Sequence, residues 1–263
     1  MDAITIVRIT IFLGLCVSLL LLEARWPKHN RAIPRSQRWP ANFAILALGQ
    51  ILTRLLLPLS GVGLAWYLHA QGWGLGNWLS LHPLVWGVVC VLLLDALIYW
   101  QHRLFHRIPW LWRLHRVHHV DQDFDVSLAL RFHPIEIVLS QLLKLAAITL
   151  LGAPALAVVV FEMLLNGMAM FNHANLALPE RLERWLRYLV VTPDMHRIHH
   201  SQRPDEHHRN FGFSLSCWDR LFASYRHAPR EGQQGIQFGL KNWPDSRDNQ
   251  RLLGLLLLPF RKR

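Results

Sequence analysis

Cysteine is scarce in this 263-residue chain, with only Cys16, Cys90 and Cys217, and no two of them form a C-x-x-C pair. That spacing excludes a zinc ribbon, an iron–sulfur cluster and a disulfide framework. Charge is sparse as well, at 17% of residues, and acidic residues are the rarer kind: 17 Asp and Glu against 28 Lys and Arg. No basic repeat or nucleic-acid motif accompanies the net +11, so no nucleic-acid partner is implied. There is no H-P-G-G haem motif, no G-x-G-x-x-G nucleotide fingerprint, no low-complexity tract and no long internal repeat. An electron-carrying cofactor of its own is thereby excluded.

What the chain has instead is apolar length. A 52% hydrophobic content, 12 Trp and a mean hydropathy of +0.19 place it in the bilayer. Residues 4–22 are long enough to cross a hydrocarbon core, and the lack of an A-x-A-like site marks them as a retained anchor rather than a signal peptide. The next loop carries Arg25, Lys28, Arg31, Arg35 and Arg38 beside Trp26 and Trp39, which assigns it to the cytoplasm. Residues 43–68 cross back, carrying Arg54, and the following loop, HAQGWGLGNWLSLHP, has no Lys or Arg. A third span, 84–100, returns to the cytoplasmic face. Residues 135–172 are too long for one crossing, and Gly152-Ala153-Pro154 predicts a tight hairpin of two helices.

The expectation is therefore an all-α integral membrane helical bundle of about five spans with a cytoplasmic histidine-rich helical cap. It divides into residues 1–83, transmembrane helices and basic loop; 84–225, a catalytic domain; and 226–263, a basic interfacial tail. Within that tail residues 252–260 are too short to span, while ERLERWLRYL, at 180–189, reads as an amphipathic interfacial helix.

The 16 histidines are not scattered. His102 and His106 stand four apart at the end of the third span, so a helix puts them on one face. His115, His118 and His119 form H-x-x-H-H, and His196, His199 and His200 repeat it. At this histidine content chance supplies one such motif about 0.06 times per chain. Neutral imidazole suits Zn, Cu, Fe and Ni, and eight histidines exceed what one ion with an open position uses, so two metals are the economical answer. A metal pair can clamp an oxygen species or activate water, which leaves oxidative and hydrolytic chemistry both open. A two-metal membrane hydrolase and a non-enzymatic metal-binding membrane protein are the alternatives. Asp95, an intramembrane carboxylate seven residues before His102, is expected to accept an imidazole N–H.

D-x-x-x-Y-x-x-H-R-x-x-H from Asp95, H-P-I-E from His133, N-H-A-N from Asn172, T-P-D-M-H-R-I-H-H-S from Thr192 and N-F-G-F-S-L-S-C-W-D-R-L-F-A-S-Y from Asn210, in this order, resemble the fatty acid hydroxylase and sterol desaturase superfamily. The resemblance covers residues 96–225. It implies a membrane non-haem di-iron oxygenase, with two Fe ions and O2 as co-substrate, that hydroxylates or desaturates a lipid. The electrons would come from an external donor, a reductase with ferredoxin or a cytochrome b5-like protein, and a bacterial inner membrane would house it. The ligands it implies are His102, His106, His115, His118, His119, His173, His196, His199 and His200. His133 and Asn166 are further candidates, the latter to hold a metal-bound water, and Asp194 and Asp219 are candidate carboxylate partners. His207 and His208 depart from the pattern and read as surface residues.

Overall fold

The computed structural model describes residues 3–79, 81–243 and 247–261. Among them the chain is helical, and its only β-pairings are isolated bridges. In chain order the helices are α1 (Ala3–Arg25), α2 (Arg35–Leu56), α3 (Gly61–Gln71), α4 (Leu75–Trp78), α5 (Pro83–Arg107), α6 (Pro109–His119), α7 (Pro134–Leu151), α8 (Ala155–Asn172), α9 (Glu180–Leu189), α10 (Pro193–His199), α11 (Pro204–His207), α12 (Cys217–Leu221) and α13 (Leu252–Leu257). Proline opens α5, α6, α7 and α10, where its missing N–H has no helical partner to lose.

Five segments are long and apolar enough to cross a membrane: Ile6–Arg25, Arg35–Trp78, Pro83–Arg107, Pro134–Leu151 and Ala155–Asn172. The molecule is thus an all-α integral membrane bundle. The second apolar stretch is not one rod, as the sequence reading had it. Pro58 disfavours helical backbone at Leu57, α2 ends at Leu56, and α3 restarts behind the cap that Ser60 gives to Gly63 N. Arg54, in the last turn of α2, is exposed.

The hairpin is also different from the tight pair expected. Gly152, at φ 58°, makes the turn, but α3 packs against both α7 and α8. Gly61 stands where an added Cβ would meet Glu162 Oε1 at 2.8 Å, Ile148 at 3.1 Å and Val158 at 3.2 Å. A side chain there would have to push these three aside, so glycine favours the close approach of the α3 backbone. Ala65 and Leu68 of α3 then join Cys90, Leu94 and Ile98 of α5 and Ile148, Val158 and Phe161 of the hairpin in the largest apolar core. The consequence is a space left between α7 and α8 towards their histidine-bearing ends.

Above the spans, α6 and α9 to α12 form the cap. The α9 helix exposes Leu182, Trp185, Tyr188 and Leu189, an apolar surface suited to a membrane interface. α13 packs on α2, with Leu255 and Leu258 fully buried, so the tail is part of the core on one side and exposes Leu253, Leu257 and Phe260 on the other.

The basic segment is also tied into the fold through Arg38. Arg38 is fully buried in the first turns of α2. Its Nε and Nη2 donate to Asp121 at 2.9 Å each, and its Nη1 donates to Asp125 at 2.8 Å. Arg131 shares Asp121 at 3.1 Å and donates to the carbonyls of Val117, at 2.9 Å, and Asn249, at 2.7 Å. This closed network fastens α2, the end of α6 and the C-terminal segment together beneath the histidines.

Candidate metal centre

Nine buried imidazoles meet where α5, α6, α8 and α10 end, and they divide into two groups. His102, His106, His115, His119 and His199 form one; His118, His173, His196 and His200 form the other. Within each group the candidate ligand atoms all lie within 4.8 Å of one another.

Helix geometry explains how one motif serves both groups. At 100° per residue, positions four apart differ by about 40° and share a face, while adjacent positions diverge by about 100°. His115 and His119 therefore face one centre and His118 the other; on α10, His196 and His200 face the second centre and His199 the first. Each H-x-x-H-H is a divider that sends a pair one way and the remaining ring the other. The nine residues implied by the resemblance are the nine brought together, His173 included.

The rings are oriented from behind. His102 Nδ1 donates to Phe211 O at 2.8 Å, His199 Nδ1 to Arg209 O at 2.8 Å, and His173 Nδ1 to Ala169 O at 2.7 Å. His115 Nδ1 donates to Glu136 Oε1 at 2.7 Å. A proton held on Nδ1 leaves the Nε2 lone pair for a metal. Two of these carbonyls flank Asn210, which lies in the left-handed region at φ 52°. Its side chain donates to Met195 O and Arg226 O and accepts from Arg226 N, so the uncommon backbone is held by three bonds. Asp219 fixes the same turn by accepting from Phe211 N and Gly212 N at 2.7 Å each.

Burial, reinforced by neighbouring imidazoles, keeps His118, His119, His196, His199 and His200 well below the usual histidine range. Burial alone takes His115 down to about 3, and burial offset in part by the Ala169 carbonyl takes His173 to about 3. These rings are neutral at pH 7 and ready to ligate.

The residues fit a metal pair. His173 Nε2 stands 3.0 Å from His118 Nε2 and 3.0 Å from His196 Nε2, and His196 Nε2 stands 3.2 Å from His200 Nε2. Metal–imidazole bonds of about 2.1 Å set at right angles place neighbouring nitrogens about 3.0 Å apart. In the other group both nitrogens of His106 and His119, and the Nε2 atoms of His115 and His199, are buried with no protein partner. So many orphaned imidazole nitrogens would be costly unless a cation gathered them.

Several expectations are corrected. Asp95 accepts from Leu215 N at 3.1 Å and Trp218 Nε1 at 2.8 Å, which ties the cap to α5 and leaves no imidazole N–H on it. Asp194 pairs with Arg197 and with Lys28, at 3.2 Å, because those cations reach it first. Asp219 holds the 211–212 backbone, and so acts on His102 through the Phe211 carbonyl. His133 is outside both groups: its Nδ1 accepts from Ile135 N as the cap of α7, and its Nε2 lies 3.3 Å from Leu256 O. Asn166 lines the cavity described next, in whose wall His102, His115, His118 and His196 also stand. His208 is exposed as expected, but His207 is buried, its ring 4.6 Å from that of His119 and 4.7 Å from that of His106. The residue missed altogether is Glu136. It stands in the quoted H-P-I-E, and its place in the first turn of a helix that starts beside the histidines was the available signal.

A cavity of about 460 Å³ runs from this centre between α7 and α8. His102, His115, His118 and His196 close its upper end, and Phe12, Leu46, Leu130, Ile137, Leu165 and Met170 provide apolar wall.

Fold and site together define a membrane-embedded protein with two adjoining clusters of buried histidines that could each hold a metal ion. Its kind is settled by comparison: a fatty acid hydroxylase profile matches residues 87–224, more than half the chain, and the protein belongs to that family. Among its relatives are the ornithine lipid hydroxylase OlsE of Rhizobium tropici, 29% identical over 160 residues, which are 60% of this chain and 47% of that one. Alkylglycerol monooxygenase of Homo sapiens is 27% identical over 129 residues, 48% of this chain and 27% of its own. The cholesterol 25-hydroxylase-like protein of Danio rerio is 28% identical over 232 residues, 82% and 87% of the two chains. The chain thus spans about half or less of the first two relatives and most of the third. No solved structure matches.

Proposed function

We propose that the protein is a di-iron oxygenase that uses O2 and two electrons from a separate carrier to hydroxylate or desaturate a C–H bond of a membrane lipid. The division of nine neutral imidazoles into groups of five and four carries this reading. His102, His106, His115, His119 and His199 would hold one ion and His118, His173, His196 and His200 the other. When bound, the iron pair supplies the oxidising power for the C–H bond; the chain supplies position and dryness. The Nδ1–H donors to Phe211, Arg209, Ala169 and Glu136 keep four rings in the metal-binding tautomer. The cavity wall seats an apolar chain against the histidine end and excludes water from it.

The relatives' names, an ornithine lipid, an alkylglycerol and a cholesterol hydroxylase, support an amphiphilic lipid as substrate. The basic segment around Arg25, Arg31 and Arg35 supports a cytoplasmic histidine cap and, in a bacterium, the inner membrane. The net positive charge suits an acidic electron donor, a ferredoxin with its reductase or a cytochrome b5-like protein.

Elemental analysis and Mössbauer spectroscopy of protein purified from iron-57-grown cells test this. About two irons per chain with coupled-pair spectra, and lipid oxidation that requires both O2 and reductant, are expected. Activity with two zincs and no O2 would replace oxygenation with hydrolysis.

A further inference from the structure

The apolar cavity contains a cation. Lys144 lines it, eight residues beyond Glu136 on α7, which is about 12 Å along the helix axis. Between them lie Gln101 and Ser140, joined to each other by bonds of 3.0 and 3.2 Å, and Gln50 and Asn166 add two further amides to the wall. Glu162 of α8 is paired with Arg8 of α1. Glu136, the carboxylate in the cavity wall, is engaged by His115. Among the described residues Lys144 makes no ion pair of its own.

A cation within a span faces a cavity or a partner, because hydrocarbon solvates it poorly. Here the cavity is the one thing it faces without a fixed partner. We propose that this cavity selects an amphiphile with an anionic head, a carboxylate or a phosphate, and that Lys144 receives that head while the apolar chain extends to the histidine end. Lys144 is then the specificity residue of the site. The inference rests on the cavity being the substrate site of the oxygenase read above, but its test uses neither iron nor turnover.

Full-length protein in nanodiscs of phosphatidylcholine is loaded with the fluorescent probe 11-(dansylamino)undecanoic acid, which is then displaced by dodecanoate, dodecyl phosphate, dodecan-1-ol or dodecylamine. One or both anions should displace the probe at concentrations at least about ten-fold below the alcohol and the amine; which anion does so identifies the head. Lys144→Met should reduce that preference to near unity, while Lys144→Arg keeps it, and thermal unfolding shows that both variants are folded. Equal displacement by all four compounds, or an anion preference that survives in Lys144→Met, overturns the proposal. If Lys144→Met fails to fold, loss of the preference in Lys144→Arg overturns it instead. An iron-free result in the metal analysis proposed above, together with an intact anion preference here, would remove the oxygenase and leave this site standing.

Discussion

Glu136 Oε1 accepts a hydrogen bond from His115 Nδ1 at 2.7 Å, and among the described residues this is the one carboxylate that touches the imidazole cluster from behind. Both groups are buried, so the bond works in a low dielectric where it is worth more than at a surface. It fixes the tautomer of His115 and raises the basicity of the nitrogen aimed at the metal. Glu136→Gln keeps the shape of the side chain and replaces the carboxyl with an amide, a weaker acceptor. Metal affinity of the five-histidine group should fall about 10- to 100-fold, with the four-histidine group little changed. Competitive titration with a chelator, read as two separate binding steps, checks this, and an unaltered first step would dismiss the role.

The division of each H-x-x-H-H between two centres makes a second expectation. His118→Ala removes a ligand from the four-histidine group and His119→Ala one from the five-histidine group, although the two are adjacent in sequence. Each variant should hold close to one metal per chain instead of two, and each should lose lipid oxidation. The combined variant should hold none. Stoichiometric two-metal loading of either single variant would mean that the groups are not independent ion sites.

How far the sequence foretold this site follows from what kind of information each residue carried. Eight of the nine histidines were legible because spacing on a helix is a local property, and three and four residues suffice to set a face, whereas His173, alone in its segment, came only with the family resemblance. Glu136, Phe211 and Arg209 act on the same rings but through contacts between segments far apart in the chain, so no spacing rule exposes them. The misreading of Asp95 has the same origin: its helical phase relative to His102 was correct, but Trp218 and the Leu215 amide, more than a hundred residues on, hold its oxygen. His207 read as surface because its neighbours Arg203, Asp205 and His208 are polar, yet the short α11 turns that one ring inward. The spans were found by hydropathy, whereas the wedge of α3 between α7 and α8 was not, since it depends on the missing side chain of Gly61.

Arg38 offers a prediction about stability alone. It is wholly buried between Asp121 and Asp125, and Arg131 completes the set. Replacing it with Met leaves Asp125 without its guanidinium and Asp121 with one partner where it had two. Removal of one member of such a buried network costs about 3–5 kcal/mol. Arg38→Met should therefore unfold at markedly lower temperature in detergent. Arg38→Lys should rescue little, because one ammonium cannot meet both carboxylates in the geometry of the fork. A variant with wild-type thermal stability would show that the network is dispensable.

Acid should loosen the loop between α1 and α2 through His29. Burial, then the nearby Arg197 and Lys28 charges, take this ring down to about 4, and its Nε2 is buried without a partner. In the unfolded chain the same group titrates near 6.5. Above pH 6.5 both states are neutral and the full contribution of the neutral ring to stability is present. As pH falls from 6.5 to 4 the unfolded state takes up a proton that the folded state refuses, so stability declines across that window; below 4 both are protonated and this group adds no further loss. His29→Gln cannot titrate. The gap in unfolding temperature between wild type and His29→Gln, followed in metal-loaded protein so that the clustered imidazoles stay ligated, should shift against wild type between pH 6.5 and 4 and be level on either side. Curves that run parallel from pH 7 to 4 would show that the ring is protonated without cost, and that its burial does not oppose charge.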